Sequence, residues 1–500
     1  MPQSTDLTRR ELLAGAGAGA AALLLNQPGA QAQPAPSRTV VFANTTVVTV
    51  DNVQDEVALA VEGDRIAAIG PTEQVLKQYP RADVYNGRGK ALFPGLINCH
   101  AHLAATLARG FNEDFGFPNS AKLAVQPNSL LQPGEATLMV SIGALEAIRT
   151  GTTTLVEMSS GIGPHAAALA GSGLRMVLAE AVRDSENVPG PLSPEGFAKS
   201  VTPRFSAKLR DEGLRRIADL HSAWHGKHEG RVSVFPAAAL SETSSPELLQ
   251  AVRAFAEKHD LGYTIHLSQS VAEVDFMVKH HGVRPPAYLD RHGFLGPRLF
   301  AAHCRYVDDG DIAVLAKSGT VISHQAGMAA NRGVIPPIHR LRAAGCTIAN
   351  GTDNNTNDLF EVMRIALLTE RIQRDDPFPG VRPQPEDMLE DATLGGARAV
   401  NQPRSVGSLE VGKKADILVV DTLRAHLVPA GRIVSAWIHN GQPGDIESVM
   451  IDGQFVMRDR KVLTMDEPAI IAEADRVGRR IWSQVKKAGP IPIPGRPRQR

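Results

Sequence analysis

Hydrophobic and polar positions change rhythm twice along the chain. The segments "RTVVFANTTVVTV" and "EVALAVEGDRIAAIG" alternate apolar and polar residues and are broken by Asn and Gly. That period-two texture predicts short antiparallel strands. It returns near the other end, in "GSLEVGKKADILVVD" and "ESVMIDGQFVMRDRKVL". The two ends, 37–91 and 403–466, are expected to build one small β-sandwich. Between them eight apolar runs appear: "FPGLINCH", "TTTLVEM", "LRMVLAEAV", "RVSVFPAAA", "GYTIHLS", "LFAAHC", "GTVISHQ" and "CTIANGTD". They alternate with helical stretches such as "GEATLMVSIGALEAIRTG" and "SPELLQAVRAFAEKHD". Strand–helix alternation implies parallel pairing. The expected fold is α/β, a (β/α)8 TIM barrel over 92–402 inserted in the sandwich. Residues 467–500 read as a C-terminal helix followed by a basic, Pro-rich tail.

Composition adds three constraints. Hydrophobic residues make up 43% and mean hydropathy is −0.12, so a soluble globular chain is expected. Lys+Arg and Asp+Glu are both 53, which argues against nucleic acid as a partner and toward a small, roughly neutral ligand. The first 32 residues read as an export signal of the twin-arginine type. Arg9 and Arg10 precede a small-residue and Leu-rich run, and Ala30-Gln31-Ala32 forms a cleavage site. The mature protein is then expected in the periplasm, without stable membrane insertion. Cys99, Cys304 and Cys346 are an odd set at strand ends, better read as core thiols than as disulfides.

Unusual polar residues fall at the ends of the apolar runs. His100 and His102 close the first, His266 the fifth, His303 the sixth and Asp353 the eighth. Residues two apart on a strand share a face, so His100 and His102 aim together. Any one of these alone reads more simply as a hydrogen-bonded histidine or a turn-capping aspartate. Together, at matching ends of four strands, they read as a metal site where barrel enzymes place their chemistry. His and carboxylate ligands without a thiolate pair suit zinc, iron, cobalt or manganese, Zn2+ first. Such a divalent ion lowers the pKa of bound water and yields a hydroxide nucleophile. Asp353 can bind the ion and accept the proton, and His303 can steady the hydroxide or the developing oxyanion. "DNNTND" has the look of a calcium loop, but Asp358 and Arg364 stand where that loop needs Gly and Glu.

These residues are where the chain resembles the metal-dependent amidohydrolase superfamily, in its cytosine deaminase, S-adenosylhomocysteine deaminase and triazine hydrolase branch. The resemblance covers most of the mature chain. It rests on "FPGLINCHAHLAATLARGFNED", "IHLSQSVAEV", "LFAAHCRYVDDGDIAVLAKSG", "GTDNNTNDLFEVMR" and "ATLGGARAVNQPRSVGSLEVGKKADILVVD". It implies that His100, His102, His266 and Asp353 hold one divalent ion and that His303 touches water or substrate. Homodimers are common in families of this kind, and the oligomeric state stays open. Two segments depart from the pattern. Gln269 stands where the fifth-strand motif has Glu, and "SHQAGMAANRG" brings His324 into the seventh.

A neutral amide cannot shuttle a proton, though it can donate and accept hydrogen bonds. The first reading is therefore hydrolysis of a non-peptide carbon–nitrogen bond in a small amide, urea or nitrogen heterocycle, with Gln269 orienting substrate. The alternative is an aminohydrolase or chlorohydrolase of a purine-, pyrimidine- or triazine-like ring, with His303 or His324 in place of the acid and contacting substrate. A third reading is an exported metal- or ligand-binding protein without turnover. The segment "FNEDFGFPNSAKLAVQPNSLLQPG" is long enough to cover the barrel mouth. Its Phe111, Phe115 and Phe117 either wall the pocket or, the reading slightly favoured, pack the loop onto the barrel.

Overall fold

The computed structural model describes residues 39–50, 52–115, 123–188, 190–192, 202–374 and 382–491. The signal-like segment and the end of the basic tail lie outside the described residues. Five strands come first: β1 (Val40–Val48), β2 (Val53–Glu62), β3 (Arg65–Pro71), β4 (Asp83–Asn86) and β5 (Lys90–Pro94). The eight apolar runs supply β6 (Leu96–Ala101), β7 (Thr152–Ser159), β8 (Arg175–Val182), β9 (Val232–Leu240), β10 (Tyr263–Leu267), β11 (Leu299–His303), β12 (Val321–His324) and β13 (Ile348–Asn350). The chain closes with β14 (Ile417–Asp421), β15 (Ile446–Ile451), β16 (Gln454–Arg458), β17 (Lys461–Val462) and a long helix, Glu467–Ala488.

Strands β6 to β13 pair in chain order, each parallel to the next. They are buried along nearly their whole length, as strands covered on both faces must be. The ends of this sheet meet. Ala101 bridges Asp353 in parallel, and the Thr352 and Asp353 amides both donate to the His100 carbonyl at 2.9 Å. Asn98 Nδ2 donates to Thr352 Oγ1 at 2.8 Å across the same seam. Gly351 is needed here, because a Cβ would stand 2.9 Å from the backbone nitrogen of His100. The expected (β/α)8 barrel is thus present, and its closing seam carries three of the five cluster residues, His100, His102 and Asp353.

The helices follow local rules. Pro246–Lys258 begins at Ser245, whose Oγ accepts from the Leu248 amide at 3.1 Å, with Pro at the first helical position. It turns Leu248, Leu249, Val252 and Ala256 onto the barrel. Removing the Ser245 hydroxyl should cost about 1 kcal/mol.

The chain ends form one nine-stranded sheet, ordered β17-β16-β15-β14-β5-β1-β2-β3, with β4 beside β1. A flat sheet would set β1 and β16 about 19 Å apart, four spacings of 4.7–4.9 Å. The rings of Phe42 and Phe455 on those strands are 6.2 Å apart, so the sheet rolls over on itself around a shared core. That rolled sheet is the sandwich expected of the two ends. "FPGLINCH" is one run in sequence but two strands in space. β5 pairs with β14 in the terminal sheet, Gly95 makes the break, and β6 enters the barrel. A Cβ on Gly95 would come within 2.1 Å of the Thr153 hydroxyl. Among the described residues no helix is long and apolar enough to cross a membrane. The three cysteines are buried and free, as core thiols should be.

Candidate metal centre

The polar cluster sits at the C-terminal rim of the barrel. His100 lies in β6 and is fully buried; His102 follows that strand and is partly open. His266, His303 and Asp353 come from the ends of β10, β11 and β13. The His100 ring stands 4.7 Å from that of His102, 4.8 Å from His266 and 5.4 Å from His303. His102 and His266 are held from behind: each Nδ1 lies 2.6 Å from a backbone carbonyl, of Met158 and Ala239 respectively. A carbonyl can only accept, so each Nδ1 carries the proton and each Nε2 offers a lone pair. Those two Nε2 atoms face one another at 3.3 Å. Two lone pairs so placed repel, and a cation between them relieves the repulsion.

The remaining donors point the same way. Asp353 Oδ1 is 3.5 Å from His102 Nε2, and its Oδ2 is 3.9 Å from His303 Nδ1. Both ring nitrogens of His100 and the Nδ1 of His303 are buried without a hydrogen-bond partner. Each such atom costs about 1–3 kcal/mol unless something binds it. Ligand atoms of His100, His266 and His303, and of His100, His102 and Asp353, lie within 4.8 Å of one another in each set. Neutral imidazoles with one carboxylate match the donor set of a divalent transition metal, so these residues fit such an ion. Desolvation, followed by the charge of the neighbouring histidines, holds His100 well below the ordinary histidine pKa. Burial brings His266 down to about 3, so the rings stay in their ligating form.

Two site residues are in the left-handed backbone region, His303 at φ 80° and Asp353 at φ 61°. Non-glycine residues hold that conformation only where their surroundings impose it, and such residues cluster at functional sites. Here the His303 amide donates to Gln325 Oε1 at 2.8 Å, and the Asp353 amide is fixed across the barrel seam. Burial raises the pKa of Asp353, opposed by His102 and by two arginines, Arg332 and Arg305.

A cavity of about 730 Å³ opens above the cluster and is lined by His102, His266, Gln269, His303 and Asp353. His100 is not part of the lining; it is fully buried and meets the cavity through its neighbours His102, His266 and His303. A larger cavity, about 1120 Å³, lies against the C-terminal helix, but it contains none of the five cluster residues. The chemistry marks the smaller one. Gln269 faces this cavity with its Nε2 buried and unpartnered. His324 does not line it. It is 2% exposed, and burial, then the charge of Arg342, brings its pKa down to about 3. Phe111 and Phe115 stack at 4.3 Å and pack with Trp482 of the C-terminal helix rather than around the cavity. Phe117 lies outside the described residues.

Four residues with a part in the site went unread in the sequence. Buried Glu157 accepts from the Leu103 amide at 2.8 Å and so fixes the turn after His102. Buried Glu273 accepts from the Ser268, Gln269 and Ser241 donors at 2.7–2.8 Å and so sets the Gln269 loop. Ser270-x-x-Glu273 is a helix-start pattern and was the available signal for that one. Arg305 and Arg332, both on the cavity wall, had no signal in spacing.

A closed parallel barrel with histidines and an aspartate converging at its C-terminal rim defines a metallohydrolase architecture. The chain belongs to the amidohydrolase family, whose model matches residues 91–456. It is a metal-dependent hydrolase of carbon–nitrogen bonds, and the reading as a binding protein without turnover falls away. A 5-methylthioadenosine/S-adenosylhomocysteine deaminase of Desulforudis audaxviator is 32% identical over 435 residues, 85% of this chain and 95% of that protein. A 5'-deoxyadenosine deaminase of Methanothermobacter thermautotrophicus is 33% identical, over 84% and 93% of the two chains. Among solved structures, a zinc-bound adenosine deaminase from Xanthomonas campestris superposes with a TM-score of 0.79 at 26% identity, over 90% of this chain and all of that one. A zinc complex of atrazine chlorohydrolase from Arthrobacter aurescens shares the fold with a TM-score of 0.77 at 21% identity, covering 88% and 100%.

Proposed function

We propose that one zinc ion is held by His100, His102, His266 and Asp353, and that the enzyme cleaves a small amide, urea or nitrogen heterocycle without an acid at position 269. The observation that carries this reading is the Gln269 amide on the wall of the cavity that also holds His303 and Asp353. When bound, the ion supplies Lewis acidity and brings the ionisation of water toward neutral pH. Asp353 takes the proton, because its carboxylate lines the cavity beside His102 and His303. It then returns that proton to the departing nitrogen. His303, kept neutral by burial, donates a hydrogen bond where negative charge develops. Gln269 Nε2, buried and unpartnered, donates to an acceptor on the substrate and orients it. Lacking a general acid typically costs about 10²–10⁴-fold, so substrates that need ring protonation are the ones disfavoured.

The second reading, ring deamination, is supported by the deaminase names of the relatives at 32% and 33% identity. His303 would then be the proton carrier, since His324 stands off the cavity. Zinc-loaded protein assayed for amine or ammonia release from amides, ureas and ring amines separates the two. Faster turnover of amides or ureas is expected. Turnover confined to ring amines would overturn the first reading in favour of the second. The same reading places the mature enzyme in the periplasm, supported by the Arg9-Arg10 signal; N-terminal sequencing of the exported form should begin at Gln33.

A further inference from the structure

The chain carries no net charge, yet two guanidinium groups stand on the wall of its cavity. Among the described residues Arg305 and Arg332 line it together with one carboxylate, Asp353. Arg332 follows the short helix Ala326–Asn331 after β12. Its Nη1 donates to the Asn112 carbonyl at 2.9 Å, while Nε and Nη2 are buried and make no hydrogen bond among the described residues. Arg305 stands two residues beyond His303. Among the described residues its hydrogen bonds go only to neutral acceptors: Nε to the Val334 carbonyl at 3.3 Å, Nη1 to the Gln269 carbonyl at 3.3 Å and Met328 Sδ at 3.8 Å. Asp353, the one acid of the lining, is nearest instead to His102 and His303. Burying a guanidinium with open donors is costly, and a planar fork of N–H groups matches an oxyanion.

We infer that the substrate carries an oxyanion, a carboxylate or a phosphate, which docks on Arg332 and Arg305 while its scissile bond lies at the histidine cluster. This rests on the hydrolase reading above and narrows it: the ligand is anionic rather than neutral. A competing arrangement exists within the chain. Glu113 has a buried, unpartnered Oε2 and its charge acts on Arg332, so the two could pair with each other. That arrangement predicts indifference to ligand charge.

Titration calorimetry on the zinc-loaded protein with matched ligands decides. The pairs are N-acetylglycine and N-acetylglycinamide, 3-ureidopropionate and 3-ureidopropionamide, and AMP and adenosine. The charged member of at least one pair should bind about thirtyfold or more tightly. Preference in a carboxylate pair assigns a carboxylate, and preference in the nucleotide pair a phosphate. Arg332→Gln should pull the ratio toward one, and Arg332→Lys should keep part of it. Should Arg332→Gln fail to fold, Arg305→Gln makes the same test. Equal binding within every pair, no binding at all, or a ratio unmoved by the substitutions would overturn the inference. Product release is measured separately on the same pairs. Preference without hydrolysis would contradict the reaction alone; hydrolysis without preference would contradict the oxyanion site alone.

Discussion

At the opposite end of the strands from the metal cluster, Arg175 is as buried as the histidines. It opens β8 at the seam with the terminal sheet and is 2% exposed. Its Nε and Nη2 reach the two oxygens of Asp416 at 3.0 Å, and Nη2 also reaches Asp452 at 2.5 Å. Burial alone would lower the pKa of Arg175, but Asp416 and then Asp452 overturn that and hold it above the ordinary value. The Arg175 donors Nε and Nη2 have thus each found a carboxylate. At the rim, His100 is fully buried with neither nitrogen bonded, and His303 and Arg332 also carry open polar atoms. Burial of a polar side chain therefore says little about function. Single atoms without a hydrogen-bond partner occur elsewhere, Asp452 Oδ2 and Trp437 Nε1 among them; what marks a ligand site is the convergence of several on one point, as at the rim.

The contrast can be broken from either side. His100→Ala should leave a folded protein that loses its metal and turns over more slowly by roughly four orders of magnitude or more. Elemental analysis and a turnover assay on the same sample check this, and full activity would sink the assignment. Arg175→Met should do the reverse. It strands Asp416 and Asp452 in the interior and should cost about 3–5 kcal/mol in urea unfolding. Metal per folded chain should not change, and metal loss at full stability would erase the distinction between the two ends.

Gln269→Glu places a titratable group on the cavity wall and should raise ammonia release from ring amines by about a hundredfold or more. No gain would mean that the amide is not what disfavours ring chemistry. The smallest effect concerns Glu242 and Glu273, fully buried acids that oppose one another's ionisation. Burial pushes Glu273 from 4.5 up to about 7, and burial with the Glu273 charge raises Glu242 well above its ordinary value. Between pH 4.5 and 7 the folded chain then holds protons that the unfolded chain has released. Stability should fall as pH rises through that window, by up to about 1.4 kcal/mol per unit and proton. Glu242 stays protonated through that window, so Glu242→Gln removes one of the two retained protons and should flatten the fall between pH 5 and 7 by roughly 2–3 kcal/mol. Identical slopes in urea titrations would contradict it.

Most of the barrel was legible because each strand is short, apolar and bounded by turns. The five cluster residues were legible because they end those runs, where side chains must converge. Gly95 was not, since a run that continues through a glycine looks like one strand until its pairing is known. Arg305 and Arg332 were hidden for a different reason. They lie on loops after different strands, and their meeting over the cavity is a product of barrel closure rather than of spacing. A chain-wide balance of charge averages the cavity with the surface, so it could not show the two arginines on the cavity wall. His324 was proposed from its place in a seventh-strand segment, and it is buried and not among the residues that line the cavity.

The most direct test of the account is metal content per chain of the purified full-length protein, by elemental mass spectrometry. One equivalent of zinc is expected, with His100→Ala folded and close to empty. A folded wild-type protein that stays metal-free after zinc, iron, cobalt and manganese are offered would contradict it, because the unpartnered nitrogens at the rim would then have no ligand to explain them.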